Sequence, residues 1–428
     1  MSISVGERIR HLRIHRQMSQ SELVEGICSV PYLSRIENGK TNPSNQFLKK
    51  VSLKLNVNFE MFNNQNNDNF QKEIKTILSK IEEENSSLSK NEEALLKMAL
   101  IEFIPPQLLI RVFTSLLENS VRKKAMNEAD TIYGSYFKLI DATNALELTD
   151  PKEQAIYYRL HSALGKYFYT KQDFNKSDYH YSISETLIPD KKSIDSAKLF
   201  YNISLVKQRI YEDTTAALYY CKKAYDIFQR ENDLENLVNV LVSMGVQYHM
   251  LSKYDVSLEM LNEAESYLDR LQSTNKLALS TMITYNAGRV YQKMEEFDKA
   301  ITYYTMSSNN TDNDVHKAYI FKGLIEIKLH KKEWLSVKNL LNEAFAIVEK
   351  HKLPHIEIEL HAIKAMVYKK RGDYLNYEKC MKYAIKCAEI EKYPPLIKKM
   401  SKELAGYYHE LRFYKKSSEY YLLALNNS

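Results

Sequence analysis

Residues 27–40 read ICSVPYLSRIENGK, and this stretch decides how the beginning of the chain folds. Leu33 and Ile36 lie three residues apart, so a helix through them has one apolar face and one polar face. Ser29 is a suitable N-cap, Pro31 suits the first turn, and Gly39 can adopt the left-handed conformation that ends a helix. The stretch therefore predicts a helix of about two and a half turns that packs on one side only.

The neighbouring residues predict three more short helices in the same bundle. The first, from Gly6 to Arg16, combines an apolar stripe with an opposite face that carries Arg8, Arg10, Arg13 and Arg16. The second begins at Ser19, which forms a capping box with Glu22. The fourth begins at Ser44, and its inward residues are Phe47, Leu48, Val51 and Leu55.

Two short helices joined by a tight turn form the helix-turn-helix arrangement, whose second helix enters the major groove of DNA. Positive charge is concentrated in the same part of the chain, because residues 1–62 contribute +4 to a total net charge of +6. We expect base readout from the polar and tip residues of the second helix, which are Ser29, Val30, Pro31, Tyr32, Ser34 and Arg35.

The string MSQSELVEGICSVPYLSRIENGKTNPS, residues 18–44, resembles the XRE-type (Cro/cI) helix-turn-helix. Its Ile-Cys turn is similar to that of the PlcR and NprR branch of the Rap/Rgg/NprR/PlcR/PrgX group, the peptide-responsive quorum-sensing regulators. The resemblance covers about residues 5–60 and implies that Gln20 contacts a backbone phosphate. We assign residues 1–62 to a DNA-binding domain.

The rest of the chain predicts helices and a joint. Gly and Pro number only 10 and 9 among 428 residues, of which 44% are hydrophobic, so we expect an all-α protein. The Asn-rich string NNQNNDNF marks a linker at residues 63–70. Residues 71–152 then form a linker helix, starting near Lys72, and one or two degenerate helical pairs.

Residues 153–428 repeat with a period near 40. An aromatic residue recurs at intervals of 80, 43, 37, 40 and 40, at Phe174, Tyr254, Phe297, Trp334, Tyr374 and Tyr414, with one worn copy near residue 214. Mostly small residues stand nine before it (Gly165, Gly245, Gly288, Ile325, Ala365, Ala405) and ten after it (Ser184, Ala264, Ser307, Ala344, Ala384, Ala424). The pattern is similar to tetratricopeptide (TPR) repeats and predicts seven helical pairs in a right-handed α-solenoid.

The concave face of such a solenoid suits an extended peptide. Asn202 and Asn286 occupy equivalent places in FYNIS and TYNAG, and an asparagine amide can both donate to and accept from a peptide backbone. The resembled family uses helix asparagines to clamp its signalling peptide. Neighbours on the same predicted face, which complete the candidate peptide-binding set, are Tyr201, Arg209, Tyr285, Arg289 and Gln292.

Several chemistries lack support in the sequence. ENGKT is not a phosphate-binding loop, because Ser34 stands where the earlier glycine would be. The histidines of HKLPHIEIELH are interrupted by Pro354 and predict no metal site, and no nucleophile is paired with a base. We expect no enzyme, no cofactor, and reduced cysteines. For Cys28, in the turn, we expect an inert thiol, with a redox switch as the alternative. Without an export signal or a bilayer-spanning run, the cytoplasm is the expected location.

The sequence thus predicts a DNA-binding transcriptional regulator that senses an intracellular peptide, as a homodimer on a two-fold operator. A change in solenoid curvature on peptide binding would act on the DNA-binding heads through the linker. Two alternatives stay open: the solenoid sequesters a protein partner, or it serves only for dimerisation.

Overall fold

A computed structural model of the chain describes residues 5–16, 18–55, 59, 67–84, 86–101, 104–137, 150–210, 214–271 and 274–427. Over these residues the chain forms 22 helices and no strand, which confirms the predicted all-α class. The chain divides into two compact units, Met1–Ile227 and Phe228–Ser428, which we describe separately.

The first four helices form the predicted bundle. They are α1 (Val5–His15), α2 (Gln20–Val24), α3 (Val30–Glu37) and α4 (Asn45–Leu55). Ser19 and Glu22 form the predicted capping box, and the Ser44 hydroxyl accepts a hydrogen bond from the backbone N–H of Phe47. The core of the bundle contains the expected apolar residues, including Leu12, Leu23, Leu33, Ile36, Phe47, Leu48, Val51 and Leu55.

Four helices follow before the regular repeats: α5 (Asn67–Glu84), α6 (Lys90–Ile101), α7 (Pro106–Arg122) and α8 (Met126–Tyr136). Helix α5 begins five residues before the predicted Lys72, so residues 67–70 of the predicted linker are helical. Residues 63–66 of that linker lie outside the described residues. The buried residues of α5–α8 form one core with the next helix along the chain.

Fourteen further helices follow α8 in the described part of the chain, which is the number that seven helical pairs require. These helices are α9 (Pro151–Thr170), α10 (Phe174–Thr186), α11 (Ile194–Ile210), α12 (Thr214–Arg230), α13 (Leu234–Met250), α14 (Tyr254–Leu268), α15 (Lys276–Lys293), α16 (Phe297–Asn309), α17 (Asp314–His330), α18 (Trp334–His351), α19 (Pro354–Lys370), α20 (Tyr374–Ile390), α21 (Pro394–Glu410) and α22 (Tyr414–Asn426).

The recurring aromatic residues mark the start of the second helix in six of these pairs. Each of α10, α14, α16, α18, α20 and α22 begins at its aromatic residue, while α12 begins at Thr214, the worn copy. Two residues before each aromatic, the backbone has a positive φ, as at Lys332 (58°) and Gly372 (79°). This left-handed residue reverses the chain between the two helices.

The small residues of the repeat allow the paired helices to approach closely. A Cβ atom added at Gly165 would lie 2.5 Å from the Tyr181 ring, and one at Gly288 would lie 2.8 Å from Tyr304. A buried serine adds a polar contact at the same crossing, since the Ser257 hydroxyl donates to the Gly245 carbonyl at 2.7 Å. The repeat therefore stacks a large residue on a small one in each of these pairs.

Candidate functional site

Helix α3 presents a packed face and a free face. Leu33 and Ile36 are fully buried, whereas Ser29, Val30, Pro31 and Arg35 are exposed. Ser29 occupies the N-cap position, but its hydroxyl makes no capping hydrogen bond and is available to another partner. The tip of the helix and one side of it can therefore reach a ligand without disturbing the bundle.

Glu37, at the end of α3, ties three helices together. Its carboxylate is 4% exposed and accepts from Arg13 Nε at 2.7 Å and from Arg13 Nη2 at 2.9 Å. It also accepts from Gln20 Nε2 at 2.7 Å, while Arg13 Nη1 donates to the Met18 carbonyl. Because a bidentate arginine fixes both distance and angle, this cluster sets the direction of α3 against α1 and α2.

The position of Arg13 corrects the sequence analysis, which placed it with the other arginines on an outer basic face. Its side chain is only 11% exposed because it is drawn inward by Glu37. The signal was present in the spacing, since Glu37 lies four residues after Leu33 and one after Ile36. A glutamate on the packed face of a helix requires a buried partner.

Two glycines shape the ends of this motif. A Cβ atom at Gly6 would overlap the Ile36 carbonyl oxygen, so α1 crosses α3 at a point where only glycine fits. Gly39 has a φ of 69° and ends α3 in the left-handed conformation, as predicted.

Three further candidate DNA contacts are already engaged within the bundle. The Tyr32 ring packs edge-on against Phe47 with centroids 5.6 Å apart. The Ser34 hydroxyl lies 3.4 Å from Asn38 Nδ2, which donates to it. Gln20 is half-buried and gives one amide N–H to Glu37, so its second amide N–H, its amide oxygen and its backbone N–H are the groups left for other contacts.

Cys28 lies in the turn between α2 and α3. It is half-buried, its thiol donates to the Ser29 carbonyl at 3.5 Å, and burial raises its pKa. A raised pKa disfavours the reactive thiolate, in keeping with the inert thiol expected from the sequence. All four cysteines are free thiols.

The candidate peptide-binding residues of the first unit lie on α11. Asn202 is half-buried, Arg209 is exposed, and burial raises the pKa of the Tyr201 hydroxyl. Lys207, on the same helix, forms an ion pair with Asp178 at 2.8 Å. The Asn202 amide and the Arg209 guanidinium thus provide a donor–acceptor pair and a cation on this helix.

The corresponding residues of the second unit lie on α15 and interact with one another. Asn286 donates to the Met282 carbonyl and accepts from Arg289, whose guanidinium lies 5.9 Å from the centre of the Tyr285 ring. Asn286 keeps one N–H and one lone pair for a further partner. The asparagine is therefore held in one orientation by its own helix.

Gln292 connects this helix to the next first helix of the repeats. It accepts from the buried Tyr304 hydroxyl at 2.7 Å and donates to Glu326 on α17 at 2.8 Å. Glu326 in turn lines a groove of about 340 Å³ formed by residues of α17, α19, α20 and α21. Sequence reasoning missed this groove, although Lys322–Glu326 and Lys399–Glu403 share an i, i+4 spacing. Such pairs look the same on any solvated helix.

The histidines of residues 351–361 have separate partners. His351 lies 3.0 Å from Asp314, His355 lies 3.7 Å from Glu359, and the His361 ring packs on Phe345 and Tyr383. Within the described part of the chain, no three His, Cys, Asp or Glu residues are grouped to hold a metal ion. No helix of that part is long and apolar enough to cross a bilayer.

Comparison with known proteins confirms the type of the first domain. Residues 9–62 match the helix-turn-helix family model. The chain is also 24% identical over 292 residues to the transcriptional activator NprA of Geobacillus stearothermophilus, covering 67% of each chain. Its fold is that of the quorum sensor NprR from B. thuringiensis in its apo form, with a TM-score of 0.62, 14% identity, and coverage of 84% of this chain and 97% of that one. The chain resembles the NprR group in sequence and in fold.

Two further solved structures share the helical-repeat fold. NprR in complex with its cognate peptide NprX has a TM-score of 0.60 at 15% identity and covers 84% of this chain and 98% of that one. A Rap protein complexed with competence and sporulation factor has a TM-score of 0.61 at 13% identity, covering 83% and 98%. The helix-turn-helix match and the likeness to the activator NprA support a DNA-binding regulator rather than an enzyme.

Proposed function

We propose that the chain is a sequence-specific transcriptional regulator whose DNA binding is controlled by a short intracellular signalling peptide. The observation that carries this proposal is a helix-turn-helix joined to a helical-repeat solenoid. On its packed side the second helix is held by the hydrogen bonds of Glu37, and its opposite side is exposed. NprA, an activator by name, and NprR, solved with its cognate peptide, support the two halves.

In this proposal the exposed residues of α3 read DNA. Arg35 is suited to the O6 and N7 acceptors of guanine, Val30 and Pro31 to thymine methyl groups, and the free hydroxyl of Ser29 to a base or phosphate. Ser34 and Tyr32 stand at the edge of the same surface. Gln20 contributes a phosphate contact through the groups that Glu37 leaves available.

The peptide binds on the face formed by the first helices of the repeats. Asn202 and Asn286 hydrogen-bond its backbone, with Tyr201 and Tyr285 beside them. Arg209 and Arg289 offer charge to its carboxylates, and Gln292 links this face to Glu326. A backbone clamp holds an extended peptide whatever its side chains, so specificity comes from the pockets next to it.

The functional form is a cytoplasmic homodimer. A single head of this size makes too few base contacts for useful specificity, whereas two heads on a two-fold operator double them. The peptide acts by binding one curvature of the solenoid better than another, and this preference alters the freedom of the two heads.

Genome-wide recovery of DNA bound to the tagged chain tests the proposal. We expect a shared two-fold motif near a small set of promoters, lost in Arg35→Ala with Ser34→Ala because each good base contact contributes about 1–3 kcal/mol. Arg122→Ala, which removes the same charge at an exposed position of α7, is the matched control and should retain the motif.

The outcome also separates the alternatives. Recovery without a motif, or a motif unchanged by the double variant, would contradict the assignment of α3 as the reading helix. A protein partner retained at one-to-one stoichiometry by the double variant would favour a solenoid that sequesters another protein.

A further inference from the structure

The groove between α17, α19 and α21 has the size and the lining of a pocket for a side chain. Its volume of about 340 Å³ is at the lower end of the ~300–1,000 Å³ found for ligand pockets, so it suits one or two residues of a peptide. Its floor is apolar and consists of Leu329, Ile363, Met366, Met381, Leu396 and Met400. Methionine adapts its shape to a ligand more readily than branched residues do.

The acidic side chains of the groove are all engaged by protein groups. Glu359 forms an ion pair with Lys322 at 2.5 Å, and Glu403 forms one with Lys369 at 2.9 Å. Glu326 accepts the hydrogen bond from the Gln292 amide. These carboxylates therefore have partners before any ligand arrives.

Two lysines of the rim, Lys370 and Lys399, are in the opposite situation. Both are exposed, both line the groove, and neither forms an ion pair with any residue that the structure describes. Three lysines and three glutamates line the groove, and Lys369, which pairs with Glu403 without lining the groove, brings the local charge beside the apolar floor to plus one. An occupant that carries one carboxylate would neutralise it.

We propose that this groove holds the anchor residue of the signalling peptide, a large apolar side chain whose neighbouring carboxylate lies between Lys370 and Lys399. The inference rests on the proposed function and adds the chemistry of the ligand to it. The carboxylate belongs either to the C-terminus of the peptide or to an acidic side chain next to the apolar one.

The position of the groove fits this assignment. It adjoins the candidate peptide-binding residues of α15, because Glu326 is both a lining residue and the acceptor of the Gln292 amide. A peptide whose backbone contacts Asn286 can thus continue along the first helices into the groove. The groove is too small for a whole helix of a protein partner, which buries several side chains at once.

The test uses the full chain with ¹³C-methyl-labelled methionine, and the probes are N-acetyl-leucine, N-acetyl-leucinamide and N-acetyl-alanine. We expect N-acetyl-leucine to shift the methyl signals of Met366, Met381 and Met400 and to bind about fivefold tighter than the amide, which lacks the charge. N-acetyl-alanine, which cannot fill the floor, should bind more weakly than N-acetyl-leucine. A heptapeptide ending in Leu-CO₂H, compared with its amide and with one carrying Glu before a blocked Leu, separates the two sources of the carboxylate.

Charge variants complete the test. Lys370→Gln with Lys399→Gln should remove the preference for acid over amide and leave the melting temperature unchanged. Lys338→Gln with Lys386→Gln, the same charge change on exposed positions of second helices, should keep the preference. Equal binding of acid and amide by the unchanged chain, or shifts only at other methionines, would overturn the inference.

The failure of the proposed function gives a different result. If a peptide copurified with the chain alters its DNA affinity but leaves the three groove methyl groups unmoved, the groove inference fails and peptide control stands. If N-acetyl-leucine behaves as expected but no copurified peptide alters DNA affinity, peptide control fails and the recognition chemistry of the groove stands.

Discussion

Glu37 shows how one buried carboxylate controls a DNA-reading helix. It accepts three hydrogen bonds from two residues on two other helices, and Arg13 and Gln20 have their donors turned toward it. Because a buried charge without a partner is costly, the carboxylate and the guanidinium stabilise each other only as a pair. The recognition surface thus depends on a residue that never reaches DNA.

Replacing Glu37 tests this dependence. Glu37→Ala leaves the guanidinium of Arg13 buried without its partner, and we expect local stability of α1–α3 to fall by about 3 kcal/mol. Hydrogen exchange of the α3 backbone amides in the full chain measures that loss. Glu25→Ala, at an exposed position of the same motif, is the control and should leave the exchange nearly unchanged. Equal exchange in both variants would show that the cluster does not hold α3.

His161 and His180 form a second buried polar contact, in the α9–α10 pair. Their Nδ1 atoms are 3.0 Å apart, and one nitrogen donates while the other accepts. Burial lowers the pKa of His161 to about 4, and burial with nearby positive charge lowers the pKa of His180 to about 3. Both imidazoles are therefore neutral in the folded chain at pH 7.

This pair predicts a loss of stability in acid. In the unfolded chain both histidines bind protons near pH 6.5, so unfolding takes up protons below that pH and folding stability falls as pH decreases. We expect each of the two histidines to lower the free energy of unfolding by about 3 kcal/mol at pH 4. Thermal unfolding at pH 7 and pH 5 should show a smaller drop for His161→Gln with His180→Gln than for the unchanged chain or for His316→Gln. An identical drop in all three would contradict the prediction.

The sequence predicts apolar residues at this scale better than buried polar ones. Leu33, Ile36 and Phe47 follow from helical spacing because their side chains have only one favourable environment. The charged side chains of Arg13 and Glu37 have two favourable environments, because each can be hydrated by solvent or paired with the other. The two residues lie 24 positions apart in the chain. Whether they pair depends on how α1 packs against α3, and the local sequence pattern does not contain that information.

At the level of elements, the sequence pattern did not reveal the left-handed residue that precedes the six second helices beginning at the recurring aromatic residue. Five non-glycine residues with positive φ precede such helices, and Gly372 is the sixth residue of the set. The five are Gln172, Ser252, Glu295, Lys332 and Arg412. A side chain in this conformation costs about 1 kcal/mol relative to glycine. The aromatic residue two positions later predicted the boundary correctly because it marks the start of the helix.

Opposite substitutions at equivalent turns test this cost. We expect Lys332→Gly to stabilise the α17–α18 pair by about 1 kcal/mol and Gly372→Ala to destabilise the α19–α20 pair by a similar amount. A Cβ atom added at Gly372 would have no other atom within 4 Å, so the second substitution reports on backbone strain alone. Urea denaturation followed by circular dichroism gives both values, and effects of the same sign would contradict the explanation.

For the whole molecule, the proposed regulation requires that peptide binding and DNA binding be thermodynamically coupled. If the peptide raises operator affinity by some factor, thermodynamic linkage requires operator DNA to raise peptide affinity by the same factor. Fluorescence anisotropy of a labelled copurified peptide, with and without the recovered operator, measures the second factor. A non-specific duplex of equal length is the control, and unequal factors would show that the two measurements do not report one equilibrium.

The sequence predicted the all-α class, and it predicted six repeats because each of them carries its own local pattern. The seventh, near residue 214, was predicted from the doubled interval between its neighbours. The sequence did not predict the groove of α17, α19 and α21, whose residues come from separate repeats and look like ordinary surface lysines, glutamates and core methionines. A surface assembled from distant parts of the chain is visible only after those parts are stacked.

The Glu37 cluster also bears on how such a regulator can acquire new targets. The residues that hold α3 in place and the residues at its exposed front are different, so the two sets can change independently. Substitutions at Ser29, Val30, Pro31 or Arg35 remove little packing, and a duplicated gene can therefore drift toward another operator through variants that all still fold. Because the residues that hold α3 differ from those that contact DNA, the DNA specificity of such a regulator can change through many substitutions that leave its stability nearly unchanged.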